Sequence, residues 1–515
     1  MRDNIKRLLW LTLIILVSIL VRMLFELFYD KYNEIYTFSQ FLNITIRYII
    51  TGIVILIWIG IVVRSDSTGN KLPWLIILAL EPFVGLGLFL TFGRSFRKSS
   101  RFKELPYLHN SRYLVEEPVT DFETKGYLDI DSEITDIYKA GYNSTKHHAY
   151  LNNTDVTVLT NGEEKFPKLI EELKDAKTFI LMQYYILKTD VIGKEVLSIL
   201  KEKAENGVDV YLLYDAFGSI FLNRKFMKSL KNSGVKIVVN DSVYFGFFNT
   251  RMNFRNHRKV IIIDGDKGFL GGINLGDEYN NKKKLKFGFW RDTHLFIEGN
   301  AVASITQLFF RDWYYNTKML ITDQKYYPKV NHKATGLVQI IPSGPDFKHP
   351  PIRNVYVKMI NNAKKSIKIM TPYIALDQEL LTSLVIASNS GVNVEIIIPG
   401  IPDKKSIYTV TSSFVEELLE EGIKVYKYKN GFCHAKVVIV DDVIASCGTY
   451  NLDNRSARLN FEVTALLFNS SVSKLVDDFR EDIKVSTKIN LDKWRKRGFI
   501  NSIYEGLLNL FSPLV

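Results

Sequence analysis

The sequence predicts an α/β protein: two duplicated α/β lobes sharing one pseudo-twofold active site, preceded by N-terminal transmembrane helices. Three observations carry this expectation. The first hundred residues hold three long apolar blocks, and the remainder alternates short β-rich runs with amphipathic helical stretches. That alternation then occurs twice, each time ending in the same polar residues at the same spacing.

The apolar blocks cover residues 8–29, 41–63 and 72–92, each near the ~20 residues that a helix needs to cross a bilayer. Leu and Ile runs this dense seldom cluster in a soluble chain, so membrane helices are expected; the competing reading is a buried helical hairpin. No small-residue cleavage site follows the first block, which argues against a cleaved signal peptide. Arg94, Arg97, Lys98, Arg101 and Lys103 follow the third block and argue that the lobes lie on the cytoplasmic side of the cell membrane. Arg2, Lys6 and Arg7 precede the first block, and three full spans would put the two basic clusters on opposite sides. One block is therefore a candidate for a re-entrant or interfacial segment. Glu81 and Pro82 interrupt the third, with Arg22 and Arg47 in the other two as candidate partners for the acid. Residues 1–105 are thus read as a membrane-anchoring segment with two to three transmembrane helices, and 106–153 as a linker.

Composition narrows the class of partner. The 515-residue chain is 47% hydrophobic and 24% charged with a formal net charge of +12, which excludes a disordered or collagen-like polymer. A basic balance suits a phosphate-bearing partner, either nucleic acid or an anionic membrane surface, and the apolar blocks favour the membrane. Cys433 and Cys447 match neither a metal clip nor a redox pair, so they are read as free thiols in a reducing cytoplasm.

From Thr154 the pattern repeats. Ala176-Lys-Thr-Phe-Ile-Leu, Asn206-Gly-Val-Asp-Val-Tyr and Ser233-Gly-Val-Lys-Ile are matched by Ala363-Lys-Lys-Ser-Ile-Lys-Ile, Ser390-Gly-Val-Asn-Val-Glu and Glu421-Gly-Ile-Lys-Val-Tyr. Each glycine is expected to end a helix before a strand, so these positions report architecture and not chemistry. The lobes are set at residues 154–322 and 332–490, joined through 323–331, with 491–515 as an amphipathic tail.

Each lobe continues into one polar pattern. His257, Lys259, Asp264, Gly271 and Asn274 recur as His434, Lys436, Asp441, Gly448 and Asn451. At ordinary residue frequencies, an accidental match of all five has a chance on the order of 1 in 10,000. His and Lys stand two apart at the opening of a β run and so share a face, whereas the aspartates fall at the strand-to-turn junction and are expected to order the turn. Gly271 and Gly448 are read as starting a return strand, with the Asn274 and Asn451 amides offered to phosphate oxygens. A pseudo-twofold axis would gather two histidines, two lysines and two asparagines around one phosphodiester, with each Lys at ~4 Å contributing up to about 4 kcal/mol at an effective dielectric of 20. With those donors in place no metal or other cofactor is expected. One unprotonated histidine can attack phosphorus while the other, protonated, donates to the departing alcohol, giving a covalent phosphohistidine. Asp292 and Glu462 are candidate orienting acids; which serves which histidine stays open, and a surface ion pair is the alternative for each.

These residues resemble the phospholipase D superfamily, whose signature is His-x-Lys followed by Asp in two copies. Asn256-His-Arg-Lys, Gly271-Gly-Ile-Asn, Trp290-Arg-Asp-Thr-His, Ser343-Gly-Pro-Asp, Thr371-Pro-Tyr, Phe432-Cys-His-Ala-Lys, Gly448-Thr-Tyr-Asn-Leu-Asp-Asn-Arg-Ser and Leu459-Asn-Phe-Glu further resemble the blocks of its bacterial cardiolipin synthases, in the same order. So does the apolar segment ending Phe92-Gly-Arg. The resemblance implies phospholipase D-like lobes and a reaction of two phosphatidylglycerol molecules giving cardiolipin and glycerol. It implies His257 as nucleophile and His434 as general acid, and counts Lys259, Lys436, Asp264 and Asp441 with the catalytic set. Cys433, Tyr450 and Ala457 depart from the expected Leu, Ala and Phe and bear on acceptor choice.

Tyr244, Phe245, Phe247, Phe248, Met252 and Phe254, interspersed with Arg251 and Arg255, are a candidate lip for the membrane interface, with core packing as the alternative. The tail has Arg495, Lys496 and Arg497 before apolar residues at helical spacing, which fits either a basic surface helix or a helix docked on the second lobe. Residues 282–284 are read as a solvated basic loop. Competing functions are a phospholipase that lets water resolve the intermediate, a nuclease, and a silent membrane scaffold. No stacking platform for bases is recognisable, so no nucleic-acid partner is expected.

Overall fold

The computed structural model describes residues 38–63, 68–92, 132–240, 253–282, 288–468, 470–509 and 512. The chain forms two units, residues 1–94 with 245–252, and residues 95–244 with 253–515.

In the first unit, α1 (Phe38–Val63) contains a 20-residue apolar stretch, Ile44–Val63, long enough to cross a bilayer. The third apolar block is not one continuous helix. It forms α2 (Thr68–Leu80) and α3 (Pro82–Phe92), broken at Glu81, with Pro82 opening α3 where its missing N–H costs nothing. The Trp74 and Phe89 ring centroids lie 5.6 Å apart. In a straight helix those positions would be about 22 Å apart, so the block folds back on itself. Its legs of 13 and 11 residues are each too short for the ~30 Å hydrocarbon layer. Gly85 permits the turn, because a Cβ there would stand 2.9 Å from the Ile77 carbonyl oxygen. The Trp58 indole N–H donates to the Leu75 carbonyl at 3.1 Å, and Lys71 Nζ donates to the Val62 carbonyl at 3.1 Å, tying α1 to α2. The first block, both basic clusters, and the side chains of Arg22 and Arg47 lie outside the described residues.

The second unit carries the duplication. Its first strands are β1 (Ala149–Leu151), β2 (Thr154–Thr160), β3 (Phe179–Tyr184), β4 (Asp209–Asp215), β5 (Lys236–Asn240), β6 (Arg255–Asn256), β7 (Val260–Ile263), β8 (Lys267–Gly271), β9 (Phe289–Arg291) and β10 (Thr293–Gly299). The later ones are β11 (Leu337–Ser343), β12 (Ser366–Met370), β13 (Ile374–Ala375), β14 (Asn393–Pro399), β15 (Lys424–Tyr428), β16 (Gly431–Cys433), β17 (Val437–Val440), β18 (Ile444–Gly448), β19 (Leu452–Asp453), β20 (Asn460–Phe468) and β21 (Ser486–Lys488). One sheet runs β2-β10-β8-β7-β3-β4-β5, and the other contains β11-β20-β18-β17-β12-β14-β15, the same order with the same parallel and antiparallel pairs. β1 and β21 extend the second sheet at its two ends.

Strand alternation explains how the sheets meet. Val260 and Ile262 of β7 join Val437 and Ile439 of β17 in one apolar layer shared by both lobes. Ile261 and Ile263 face the first lobe's outer core, while Val438 and Val440 face the second's. Runs buried on both faces are why these strands read as unbroken Val and Ile.

One expectation changes and one open alternative is decided. Part of the expected linker belongs to the second lobe: β1 pairs with β11, and a helix at Ser132–Thr145 buries Ile137 and Tyr138 in that lobe's core. The Tyr138 hydroxyl donates to the Leu337 carbonyl at 3.1 Å. The C-terminal tail takes the docked form. Trp494 is buried in the second lobe's core, Leu508 packs against it, Arg497 pairs with Glu505 at 2.6 Å, and Arg495 pairs with Glu416 at 3.1 Å. Two of the three tail cations are therefore neutralised by the protein itself.

Candidate active site

The two histidines are reached by strands that cross between lobes. β6 lies parallel to β20, pairing Arg255 with Asn460 and Asn256 with Phe461. β16 lies parallel to β9, pairing Phe432 with Trp290 and Cys433 with Arg291. The backbone N–H of His257 then donates to the Phe461 carbonyl at 2.9 Å, and that of His434 to the Arg291 carbonyl at 2.6 Å. Each histidine is thereby aligned with the next residue of the opposite lobe, which is an acid in both cases. His257 Nδ1 lies 3.0 Å from both Glu462 oxygens, and His434 Nδ1 lies 2.6 Å from Asp292 Oδ2. The pairing left open by sequence is therefore reciprocal.

A carboxylate only accepts, so each Nδ1 carries the proton and each Nε2 keeps a lone pair. Glu462 also accepts from the Thr449 hydroxyl and from Asn460 Nδ2 at 3.2 Å, while Asp292 accepts from the Thr293 N–H at 2.8 Å. Lys259 Nζ donates to the His257 carbonyl at 2.6 Å, and Lys436 Nζ donates to the His434 carbonyl.

Burial sets the resting charges. It pulls His257 down to about 4 against the Glu462 carboxylate, with Lys259 adding to the depression. It pulls His434 down to about 3, reinforced by Lys436 and opposed by Asp292. Burial also lowers Lys259 to about 7 and Lys436 to about 8, with Glu462 and Asp292 respectively the leading opposing charges. For the acids burial pushes upward, but His434 and Lys436 hold Asp292 below the usual carboxylate range, and His257 and Lys259 do the same for Glu462. Lys436 acts on His257 and Lys259 on His434, so the two motifs form one electrostatic site.

Other expected residues sit differently. Asp264 and Asp441, counted with the catalytic set, hold turns. Asp264 accepts from the backbone N–H groups of Lys177, Thr178 and Phe179 at 2.7–3.0 Å, and Asp441 from those of Lys364, Lys365 and Ser366 at 2.7–2.8 Å. Both adopt left-handed backbone, φ 53° and 55°, at the far ends of β7 and β17 from the histidines. Asn274 has its carbonyl oxygen on the Ile186 N–H at 3.0 Å and donates to the Tyr279 hydroxyl at 3.0 Å, leaving one amide hydrogen for a ligand. Asn451 is buried with its side-chain oxygen unpartnered. Gly271 and Gly448 end their strands instead of starting them. A Cβ on Gly271 would meet the His294 Cα at 2.5 Å, so glycine lets this strand approach the one that begins just after Asp292.

Sequence reasoning missed several supports. Arg258 is fully buried, binding Asp312 Oδ2 at 2.6 Å, the Glu462 carbonyl at 3.1 Å and the Ser343 carbonyl at 3.2 Å, which braces the His257 turn against the other lobe. Its position between His257 and Lys259 is the only sequence signal. Tyr185 sets its ring 4.9 Å from His257, while Trp290 lies 5.1 Å and Phe432 5.6 Å from His434, so the two halves differ in lining. Phe254 and Arg255, expected in the aromatic lip, are interior: Phe254 packs with Tyr315 and Phe461, and Arg255 meets Asp215 at 3.4 Å. The other lip residues lie outside the described residues, as do 283 and 284 of the basic loop. Tyr450 and Ala457 are buried in the second lobe's core and Cys433 in the shared layer, its thiol pushed up to about 12 by burial. Among the described residues no group of three or more His, Cys, Asp or Glu side chains could hold a metal ion.

Comparison with known proteins gives the family. The family model described as "Cardiolipin synthase, PLD-like domain" matches residues 169–313 and 356–483, one segment in each lobe. The chain is 39% identical over 464 residues to cardiolipin synthase 2 of Bacillus anthracis, covering 88% of each chain. It is 40% identical over 465 residues to cardiolipin synthase of Geobacillus sp. (strain WCH70), covering 90% of this chain and 92% of the relative. The crystal structure of phosphatidylserine synthase from Haemophilus influenzae Rd KW20 superposes on 74% of this chain and all of its own, with a TM-score of 0.56 at 17% identity, a likeness of fold. With both lobes matched and relatives this similar over most of its length, the chain belongs to the cardiolipin synthase family with phospholipase D-like domains.

Proposed function

We propose that the protein is a cardiolipin synthase that transfers a phosphatidyl group from one phosphatidylglycerol to another, giving cardiolipin and glycerol. The observation that carries this reading is the exchanged pair of histidine–carboxylate contacts, which leaves two Nε2 atoms for the two displacements at one phosphorus. The donor's phosphodiester anion enters between Lys259 and Lys436, with the Asn274 and Asn451 amides as further donors. Its charge favours protonation of His434 and of both lysines. The His257 Nε2 lone pair forms the bond to phosphorus, the bond to glycerol oxygen breaks, and His434 gives its Nε2 proton to that oxygen. Neutral His434 then takes the proton from the acceptor's hydroxyl as that oxygen attacks phosphorus and His257 is released. Glu462 and Asp292 hold each ring in the required tautomer and stabilise positive charge on it. The assignment of His257 as nucleophile rests on the family likeness.

We also infer that residues 8–29 and α1 cross the cell membrane while the α2–α3 hairpin re-enters it. Two crossings return the chain to its starting side, so both basic clusters and the lobes become cytoplasmic together. The hairpin supports this reading because it removes the third crossing that would separate them.

Product analysis by mass spectrometry tests the activity, with the purified full chain, phosphatidylglycerol in detergent micelles and no added metal, beside a His257→Ala variant. Cardiolipin and glycerol from the wild type alone are expected. Phosphatidic acid alone would make the protein a hydrolase, and no product would refute the transferase.

A further inference from the structure

The loop after β4 is unusual in what it exposes. Phe221 is 91% accessible, with Ile220 and Phe217 at least half exposed beside it. The loop's base is nonetheless held firmly. Asp215 Oδ1 accepts from the Phe217 N–H at 2.9 Å, and Ser219 Oγ accepts from the Leu187 N–H at 3.0 Å and donates to the Tyr185 carbonyl at 3.2 Å. Gly218 lies so close to Tyr185 that a Cβ would stand 2.2 Å from its carbonyl oxygen.

The same anchors join the loop to the catalytic centre. The Tyr185 ring packs 4.9 Å from His257, and Asp215 Oδ2 accepts the N–H of Asn256, the residue before that histidine, at 3.0 Å. The helix that follows, Arg224–Asn232, begins with the Asn223 side chain capping the Phe226 N–H at 3.0 Å. It exposes Arg224, Lys225, Lys228 and Lys231 and contains no acid, and none of these four has a carboxylate partner among the described residues. The second lobe lacks the arrangement: its turn after β14 offers Ile401, and the helix beyond it carries Glu416, Glu417 and Glu420.

We propose that residues 216–231 form an interfacial anchor, with Phe217, Ile220 and Phe221 inserting into the acyl boundary of an anionic bilayer and the four cations of the helix meeting lipid phosphates. Apolar tips rimmed by unneutralised cations match the two-part chemistry of a charged lipid interface. The inference rests on the lipid-substrate reading, since a bilayer held at this loop delivers phosphodiesters to the end of the strands where His257 stands. The assignment gives the first lobe the membrane-facing role and leaves the second lobe's edge in water.

Cys433 and Cys447 are both buried, so an introduced exposed cysteine takes a fluorophore selectively. The full chain bearing Phe221→Cys, labelled with an environment-sensitive dye, is reconstituted in vesicles of phosphatidylcholine and phosphatidylglycerol containing doxyl-labelled acyl chains. Asn206→Cys, at the opposite end of β4, is the control, about 20 Å away along a seven-residue strand. Loss of emission at 221 and not at 206 is expected, and it should weaken when Arg224, Lys225, Lys228 and Lys231 are all changed to Gln. Equal emission at the two positions would overturn the anchor. Unchanged quenching in the glutamine variant would overturn its electrostatic half. Quenching requires no turnover, so an anchored protein that makes no cardiolipin would refute the proposed activity and leave the anchor standing.

Discussion

Replacing Asp292 with Asn isolates what the exchanged carboxylate contributes. The Thr293 N–H donates to Asp292 Oδ1 at 2.8 Å, so the asparagine keeps its carbonyl there and turns its NH2 group toward His434. His434 Nδ1 must then accept, which moves the ring proton to Nε2 and removes the lone pair that receives the acceptor's proton. The lost charge adds to this: a carboxylate ~4 Å from an imidazolium contributes about 4 kcal/mol at an effective dielectric of 20. At about 1.4 kcal/mol per decade this amounts to roughly a thousandfold in kcat, and the wrong tautomer carries the expected loss toward 10,000-fold. The assay is transfer from phosphatidylglycerol in micelles, beside the release of p-nitrophenol from a p-nitrophenyl phosphatidyl ester. That leaving group needs no proton, so Asp292→Asn should retain a stoichiometric burst while Glu462→Gln, acting on His257, should lose it. The reverse pattern would exchange the histidines' roles. A loss below about tenfold in both variants, with unchanged melting temperature, would refute the orienting function altogether.

Further outcomes follow from the same geometry. Lys259 at about 7 and Lys436 at about 8 are partly neutral before substrate arrives, so the entering anion should draw protons onto them. Calorimetry in two buffers of different ionisation enthalpy should show net proton uptake near pH 8, and affinity should fall as pH rises beyond it. His257 and His434 have folded values of about 4 and 3 against 6.5 for a free histidine, so the unfolded chain takes up their protons first. Their contribution to stability is complete above about pH 6.5 and falls on acidification, by up to about 1.4 kcal/mol per pH unit for each, read as a lower melting temperature at pH 5 than at pH 7. Asp264→Ala should lower stability by about 3 kcal/mol through lost amide contacts and left-handed backbone while leaving the activity of the folded fraction within about twofold. Cysteines replacing Trp74 and Phe89 should crosslink in the membrane, and adding Gly85→Leu should abolish the crosslink by forcing the hairpin open.

Most of the second unit was legible because its determinants are local. Val-Ile runs, helix-ending glycines and the doubled His-x-Lys spacing all act within a few residues, and they point to two repeated lobes and to the two histidine–lysine pairs that the fold brings together. What stayed hidden depends on contacts between distant segments. No pattern near His257 reveals that its partner is Glu462, because a parallel strand contact between lobes makes that choice. Nothing local marks Arg258 as buried either, because its partner Asp312 comes from a helix 54 residues further along its own lobe. The segment before Thr154 reads as a linker because Ser132–Thr145 is polar outside the few residues that it buries. The Glu81-Pro82 break marks the third apolar block as the candidate re-entrant segment, but only the Trp74–Phe89 contact reveals a fold-back.

The crossing of β6 onto β20 also bears on when activity can begin. His257 waits for an acid 205 residues further along the chain, and His434 needs one made 142 residues earlier. A growing chain therefore carries its apolar start long before either half-site closes, and a fragment ending anywhere short of Glu462 has a histidine without its acid. Premature termination, proteolytic nicking or a misfolded second lobe would each leave a protein that cannot cut phosphodiesters. The interlaced strands thus act as a completeness check, withholding a membrane-modifying reaction until translation has passed the last residue it needs.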